Sequence, residues 1–361
     1  MEPYDPVPER ADAGTDDDAA APARTGADAD PAAPGRRPLR WWLTLPIGMA
    51  AGAFGLLPWL VTGGRLPLQN LWATDALPDE YPVVLLPFSQ YALSTIAALL
   101  VVGAAVAGIA ARATRGVRPR SGVAWLLVGL LVVQAAAIVQ TTTVLADGLE
   151  DRTESDLYLA ALVAVAVLAN LVGVLVMLLV AVAPRAGAVI GLALAAVLVP
   201  SWLGLLLAPH PALADPAITE ALGLLRWLPA VLVGAAVAWA GIGTVGRVLA
   251  AIVALVVLWI GPALITAVTA AAGSRVLARQ PAEMLDYAAD VFRAATTRPE
   301  VVLPPLVVAV VVAAAGLVGR LVVGRLRPAP ADPVGPRDEV PQADAGPHAD
   351  AGPQADAGPQ A

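Results

Sequence analysis

The sequence predicts an all-α fold: a polytopic transmembrane helix bundle of about eight spans with both termini cytoplasmic. Three observations predict it. Between Trp41 and Gly319 the chain runs through apolar stretches with no Asp, Glu or Arg in their interiors, and the charges fall in the gaps between them. An ionisable side chain at a bilayer centre costs about 2.5–3.5 kcal/mol even on the lenient insertion scale, so stretches cleared of charge in this way suit lipid. Arginines, the only basic residues, gather in alternate gaps, and acids gather in the others. Finally, 58% hydrophobic residues and a mean hydropathy of +0.74 exceed what soluble globular chains carry.

Taken in order, residues 1–40 form an acidic tail rich in Ala, Pro and Asp, with Asp16, Asp17 and Asp18 in a row. The tail lacks the basic segment leading directly into an apolar one that a cleavable signal needs, and its composition predicts disorder. The apolar spans follow at about 41–61, 83–111, 123–146, 157–183, 188–208, 227–246, 248–272 and 301–319, within a transmembrane domain over 41–327. Each meets the requirement of about 20 residues for crossing a hydrocarbon core of about 30 Å. The second and fourth are longer and should tilt or project. Gly246-Arg247 is the only break between the sixth and seventh, tolerable because an arginine can snorkel to the interface. From 328 to 361 a six-residue unit recurs (Ala343-Asp344-Ala345-Gly346-Pro347, then from Ala349 and from Ala355), which predicts an extended, solvated tail. That tail is either a spacer or protein-docking segment, or an expanded repeat without a specific role.

The arginine gaps hold Arg36, Arg37 and Arg40, then Arg112, Arg115, Arg118 and Arg120, then Arg185, Arg247, and last Arg320, Arg325 and Arg327. Opposite them lie Asp75, Asp79 and Glu80, then Asp147, Glu150, Asp151, Glu154 and Asp156. The positive-inside rule puts the arginine gaps and both tails in the cytoplasm of a cell bounded by a plasma membrane. The Arg-only, Ala- and Gly-rich text suggests a bacterial, high-GC source. Trp41, Trp42 and Trp125 fall near the inner interface and Trp59 and Trp227 near the outer one. Two outward gaps predict short helices. Met284, Leu285, Ala288, Val291 and Phe292 follow helical spacing after Pro281, an amphipathic pattern suited to lying on the interface. Asp215-Pro216 has the N-cap and N1 form of another, reaching toward Leu225.

With charge absent from the spans, candidate polar sites are amides and hydroxyls. Gln134 and Asn170 should lie at similar depth on the antiparallel third and fourth spans, close enough to hydrogen-bond. Gln90 and Gln140 share a shallower level beside Thr141, Thr142 and Thr143. These seven are either interhelical glue or the polar lining of a cavity for a neutral or headgroup-like ligand. Pro58, Pro87, Pro200, Pro229, Pro262, Pro304 and Pro305 fall in outer halves of their spans, and only Pro46 in an inner half. Each removes a backbone donor, so Pro58, Pro200, Pro262, Pro304 and Pro305 are expected kink or hinge positions around an outward cavity. Small pairs at four-residue spacing (Gly48/Gly52, Gly103/Ala107, Ala104/Gly108, Gly234/Ala238) permit close helix packing. Val102 through Ala107 recurs as Val233 through Ala238, and Pro58-Trp59 resembles Pro200-Ser201-Trp202, hinting at a weak four-plus-four duplication.

The chain has no cysteine, and its two histidines, His210 and His348, are too few for a His-based metal site, so no metal, cofactor or thiol chemistry is expected. No continuous basic patch points to nucleic acid, and the expected partner is the lipid bilayer. Three function classes remain. One is a permease-like or lipid-handling protein for an uncharged or amphipathic ligand, without ion coupling. The others are a non-catalytic envelope scaffold or assembly protein with partners on its tails, and, less favoured, a lipid-linked sugar transferase using Asp75, Asp79 and Glu80.

Overall fold

The computed structural model describes residues 39–69, 71–74, 77, 80–208, 215–274 and 280–326. Both tails, together with Asp75, Asp79 and His210, lie outside the described residues. Within them the chain is all-helical: α1 (Trp41–Val61), α2 (Leu93–Ala113), α3 (Gly122–Gly148), α4 (Thr153–Ala181), α5 (Arg185–Leu207), α6 (Pro216–Leu225), α7 (Leu228–Ala240), α8 (Val245–Gly273), α9 (Pro281–Thr297) and α10 (Pro299–Leu326). Eight stretches are long and apolar enough to cross a membrane, with α6 and α7 together making the sixth. The protein is an integral, multi-pass membrane protein. The connections α2–α3, α4–α5 and α7–α8 share one end of the bundle, here called the arginine end, and the connections α1–α2, α3–α4 and α8–α10 share the other, here called the loop end.

The first four spans pack with α1 on α2 and α3, and α2 on α4. The second four follow the same order, with α5 on α7 and α8, and α7 on α10. Helices α2 and α5 join the two halves. Small residues set the closest approaches. A Cβ on Gly48 would stand 2.0 Å from the Leu126 carbonyl oxygen of α3, and one on Gly129 2.1 Å from that of Leu45 on α1. Gly103 faces Ala51 and Gly55 of α1, Gly108 faces Met177 and Val180 of α4, and Gly234 faces Ala309 and Val312 of α10. Each four-residue pair noted in the sequence thus has a glycine inside this monomer's own interfaces.

The arginine end is sealed by guanidinium groups on spent helix carbonyls. Arg112 donates to Val180 O (2.6 Å) and Ala183 O, and Arg115 to Ala181 O (2.8 Å), where α4 runs out of backbone donors. Arg320 of α10 likewise donates to Ala238 O and Trp239 O, both at 2.6 Å, at the end of α7. The Arg112 guanidinium also lies 5.3 Å from the Trp239 ring centre, which ties the two halves together. In the turn after α2, burial and then the Arg115 charge lower the Arg118 pKa below its ordinary value.

Four expectations need correction. The second span starts at Leu93, not 83: Pro82 and Pro87 lack backbone donors and bias Tyr81 and Leu86 away from helix, so 83–92 is not helical. The sixth span ends at Ala240 rather than 246, because Gly241 takes φ 75° and its N–H returns to Val237 O, a glycine cap, and Arg247 falls inside the first turn of α8. Trp59 is no interfacial belt residue; it is 8% exposed and hydrogen-bonded inside the protein. The amphipathic helix α9 forms, but it does not lie flat on the interface. Trp259 Nε1 donates to Thr296 O (3.1 Å), and Trp259 lies about 21 Å before the end of α8, so α9 folds back along α8. The shorter helix α6 starts as expected, with Asp215 accepting from Ile218 N at 2.8 Å.

Candidate functional site

At the loop end of the first half, the non-helical stretch before α2 is drawn into the bundle as a plug. Val84, Leu86, Phe88 and Ser89 are all 0–1% exposed. An extended segment so buried must find partners for its backbone polar groups, and side chains on α1 and α3, together with Gln69 of the same connection, supply them. Gln140 of α3 behaves like a neighbouring strand, its Oε1 accepting from Leu85 N (3.0 Å) and its Nε2 donating to Val83 O (3.1 Å). Thr141 Oγ1 accepts from Leu86 N (3.0 Å), and Trp59 Nε1 of α1 donates to Val84 O (2.8 Å). Further in, Tyr158 of α4 donates to Gln69 Oε1 (2.8 Å), and Gln69 Nε2 donates to Phe88 O (2.9 Å).

In the second half the described residues leave the loop end hollow. A cavity of about 450 Å³ lies where α7 and α10 begin beside the second half of α8, next to the C-terminal turn of α9. Trp227, Trp259, Pro229, Pro262, Pro304 and Pro305 line it, with Thr266, Ala295 and aliphatic side chains of α8 and α10. Two exposed ionisable groups border it: Arg226, whose guanidinium lies 4.9 Å from the Trp227 ring centre, and Glu300 in the first turn of α10. Indoles and proline rings give flat apolar walls, while the cation and carboxylate offer a polar end. This combination suits an amphipathic molecule at a membrane interface. Among the described residues no group of His, Asp and Glu stands together in a form that could hold a metal ion.

The structure separates the sequence candidates. Gln140 and Thr141 meet at the plug, and Gln90 lies half-buried in the turn that leads from it into α2. Thr142 and Thr143 bond back to Ile138 O and Gln140 O of their own helix. The expected Gln134–Asn170 hydrogen bond is not made. Gln134 instead donates from Nε2 to Leu100 O of α2 (2.7 Å), while Gln134 Oε1 and Asn170 Oδ1 are both buried without a partner. Gln134 is turned toward α2. Pro262, Pro304 and Pro305 line the cavity, whereas Pro58 and Pro200 stand apart from it, each just before a tryptophan that bonds inward: Trp59 to the plug and Trp202 Nε1 to Gly55 O at 2.8 Å. Sequence reasoning missed Arg226 and Glu300, because it searched span interiors and these charges mark where spans begin.

No protein-family description, curated protein sequence or solved structure matches the chain.

Proposed function

We propose that the protein is a permease-like or lipid-handling membrane protein that takes an amphipathic ligand into the loop-end cavity of its second half, without ion coupling. The observation that carries this reading is that cavity. Its volume of about 450 Å³ exceeds the ~300 Å³ at which small-molecule sites begin, and both apolar walls and opposite charges line it. The absence of Asp and Glu from 157 to 214 and from 221 to 282 supports uncoupled binding, because proton or cation coupling uses intramembrane acids. The arginine distribution supports a plasma-membrane protein with the arginine end and both tails in the cytoplasm, so the cavity opens outward. The shared packing order of the two halves supports a four-plus-four parallel duplication.

Purified protein in liposomes tests the activity, with labelled lipids and neutral polar solutes as probes. Movement of a probe that falls at least ~10-fold in Thr266→Trp, which fills the cavity, is the expected result. Wild-type protein that moves neither class of probe contradicts the permease reading and leaves the plugged, packed bundle as a scaffold.

A further inference from the structure

On the other face of α8, away from the cavity, a second hollow of about 380 Å³ runs between α2, α4, α5 and α8. Ala97, Ala169, Val197, Gly261 and Leu264 are among the residues that shape it, and only Ser94 and Thr269 bring side-chain oxygens to it. The Thr269 hydroxyl is already engaged, donating to Ile265 O at 2.8 Å. Along α8 the hollow extends from Val257 to Thr269, about 18 Å at 1.5 Å per residue. On α2 it covers Leu93 to Val101, the half nearer the loop end. On α4 and α5 it reaches the middle of the helices, at Val165 to Val172 and Leu194 to Leu198, so it runs from the loop-end half of the bundle to mid-depth, comparable with the ~15 Å of hydrocarbon in one leaflet.

Its width identifies the occupant. Spread over that length and widened by the radius of an inserted atom on each side, the volume gives a hollow about 8 Å across, whereas an α-helix with its side chains needs about 10–12 Å. Carbon atoms pack at about 4 Å, so one hydrocarbon chain fits and a helix of a second copy does not. Water has no set of polar partners there, and apolar space left empty at this depth forfeits dispersion contacts. Gly261 is part of the construction. A Cβ at this position would stand 3.0 Å from Val197 Cγ1, so glycine lets α8 approach α5 here without the Val197 side chain having to shift.

We propose that this groove is a binding site for one acyl chain of a bilayer phospholipid from the loop-end leaflet. The site is independent of the transport reading and would stand without it. Full-length protein in phosphatidylcholine nanodiscs, doped with a phospholipid that carries a diazirine midway along one acyl chain, tests it by photolabelling and peptide mapping. Labelling should concentrate on Ala97 and Leu264 at least ~10-fold over Val311 and Leu321, exposed apolar residues of α10. Ala97→Phe should reduce that labelling to background with the melting temperature kept. If that variant does not fold, Leu264→Trp, at a 53% exposed position, serves for the same measurement. Uniform labelling of all apolar faces, labelling that survives groove filling, cross-links from groove residues to a second copy, or preferential labelling by a diazirine free fatty acid would each overturn the proposal.

Discussion

Thr141 and Thr142 stand side by side on α3, yet only Thr141 reaches another segment. It accepts from the buried Leu86 N at 3.0 Å, whereas Thr142 donates to Ile138 O within its own helix at 2.7 Å. Thr141→Val keeps the shape and leaves a buried backbone donor without its acceptor, which should cost about 1–3 kcal/mol in detergent-solubilised unfolding. Thr142→Val removes only a local back-bond and should stay within about 0.5 kcal/mol. Equal losses in the two variants would contradict the pinning of the plug by α3. Gln134 and Asn170 lead to a second expectation. Because no hydrogen bond joins them, a double-mutant cycle with Gln134→Leu and Asn170→Leu should be additive within about 0.3–0.5 kcal/mol, and a larger coupling would count against the geometry. Linear sequence gives each amide's distance along its span but not its rotation about the helix axis, so the partner was not legible.

Between elements, the deciding groups are glycines at close approaches. Gly48 and Gly129 sit where a methyl group would meet a carbonyl oxygen of the facing helix at 2.0 and 2.1 Å, so α1 and α3 must part to admit it. Gly129→Ala should destabilise by about 1–3 kcal/mol, the usual cost of overpacking. Gly319→Ala on α10, where a Cβ meets nothing within 4 Å, should be neutral or slightly stabilising. Thermal unfolding of the two variants side by side checks the contrast. Most span positions could be read from apolar run length alone. Besides the early end of the sixth span at Ala240, the exception was 83–92, whose composition is as apolar as a span because it is buried in protein. Pro82 and Pro87 were the visible warning, while the amide and hydroxyl partners that make such a segment tolerable come from α3, more than fifty residues away. Charge also misled at α9: an amphipathic pattern is the same whether the apolar face meets lipid or α8, and only the tertiary contact through Trp259 decides between them.

For the molecule as a whole, two four-span halves share a packing order and differ at the loop end, where one is plugged and the other holds a cavity. The sequence echo between 102–107 and 233–238 falls on α2 and α7, the second span of each half. The cavity could not be foreseen in detail, since it depends on where α7 and α10 begin relative to α8. The native absence of cysteine makes one measurement decisive for this asymmetry and for the orientation. Single cysteines at Arg152 and Thr266 test the loop-end surface and the cavity, Ser89 (1% exposed) tests the plug, and Val117 and Gly243 test the arginine end. With an impermeant thiol reagent on intact cells, the account predicts reaction at 152 and 266 and none at 89, 117 and 243. Reaction at 117 and 243 in place of 152 would reverse the orientation, and a silent 266 beside a reactive 89 would contradict the hollow and plugged halves.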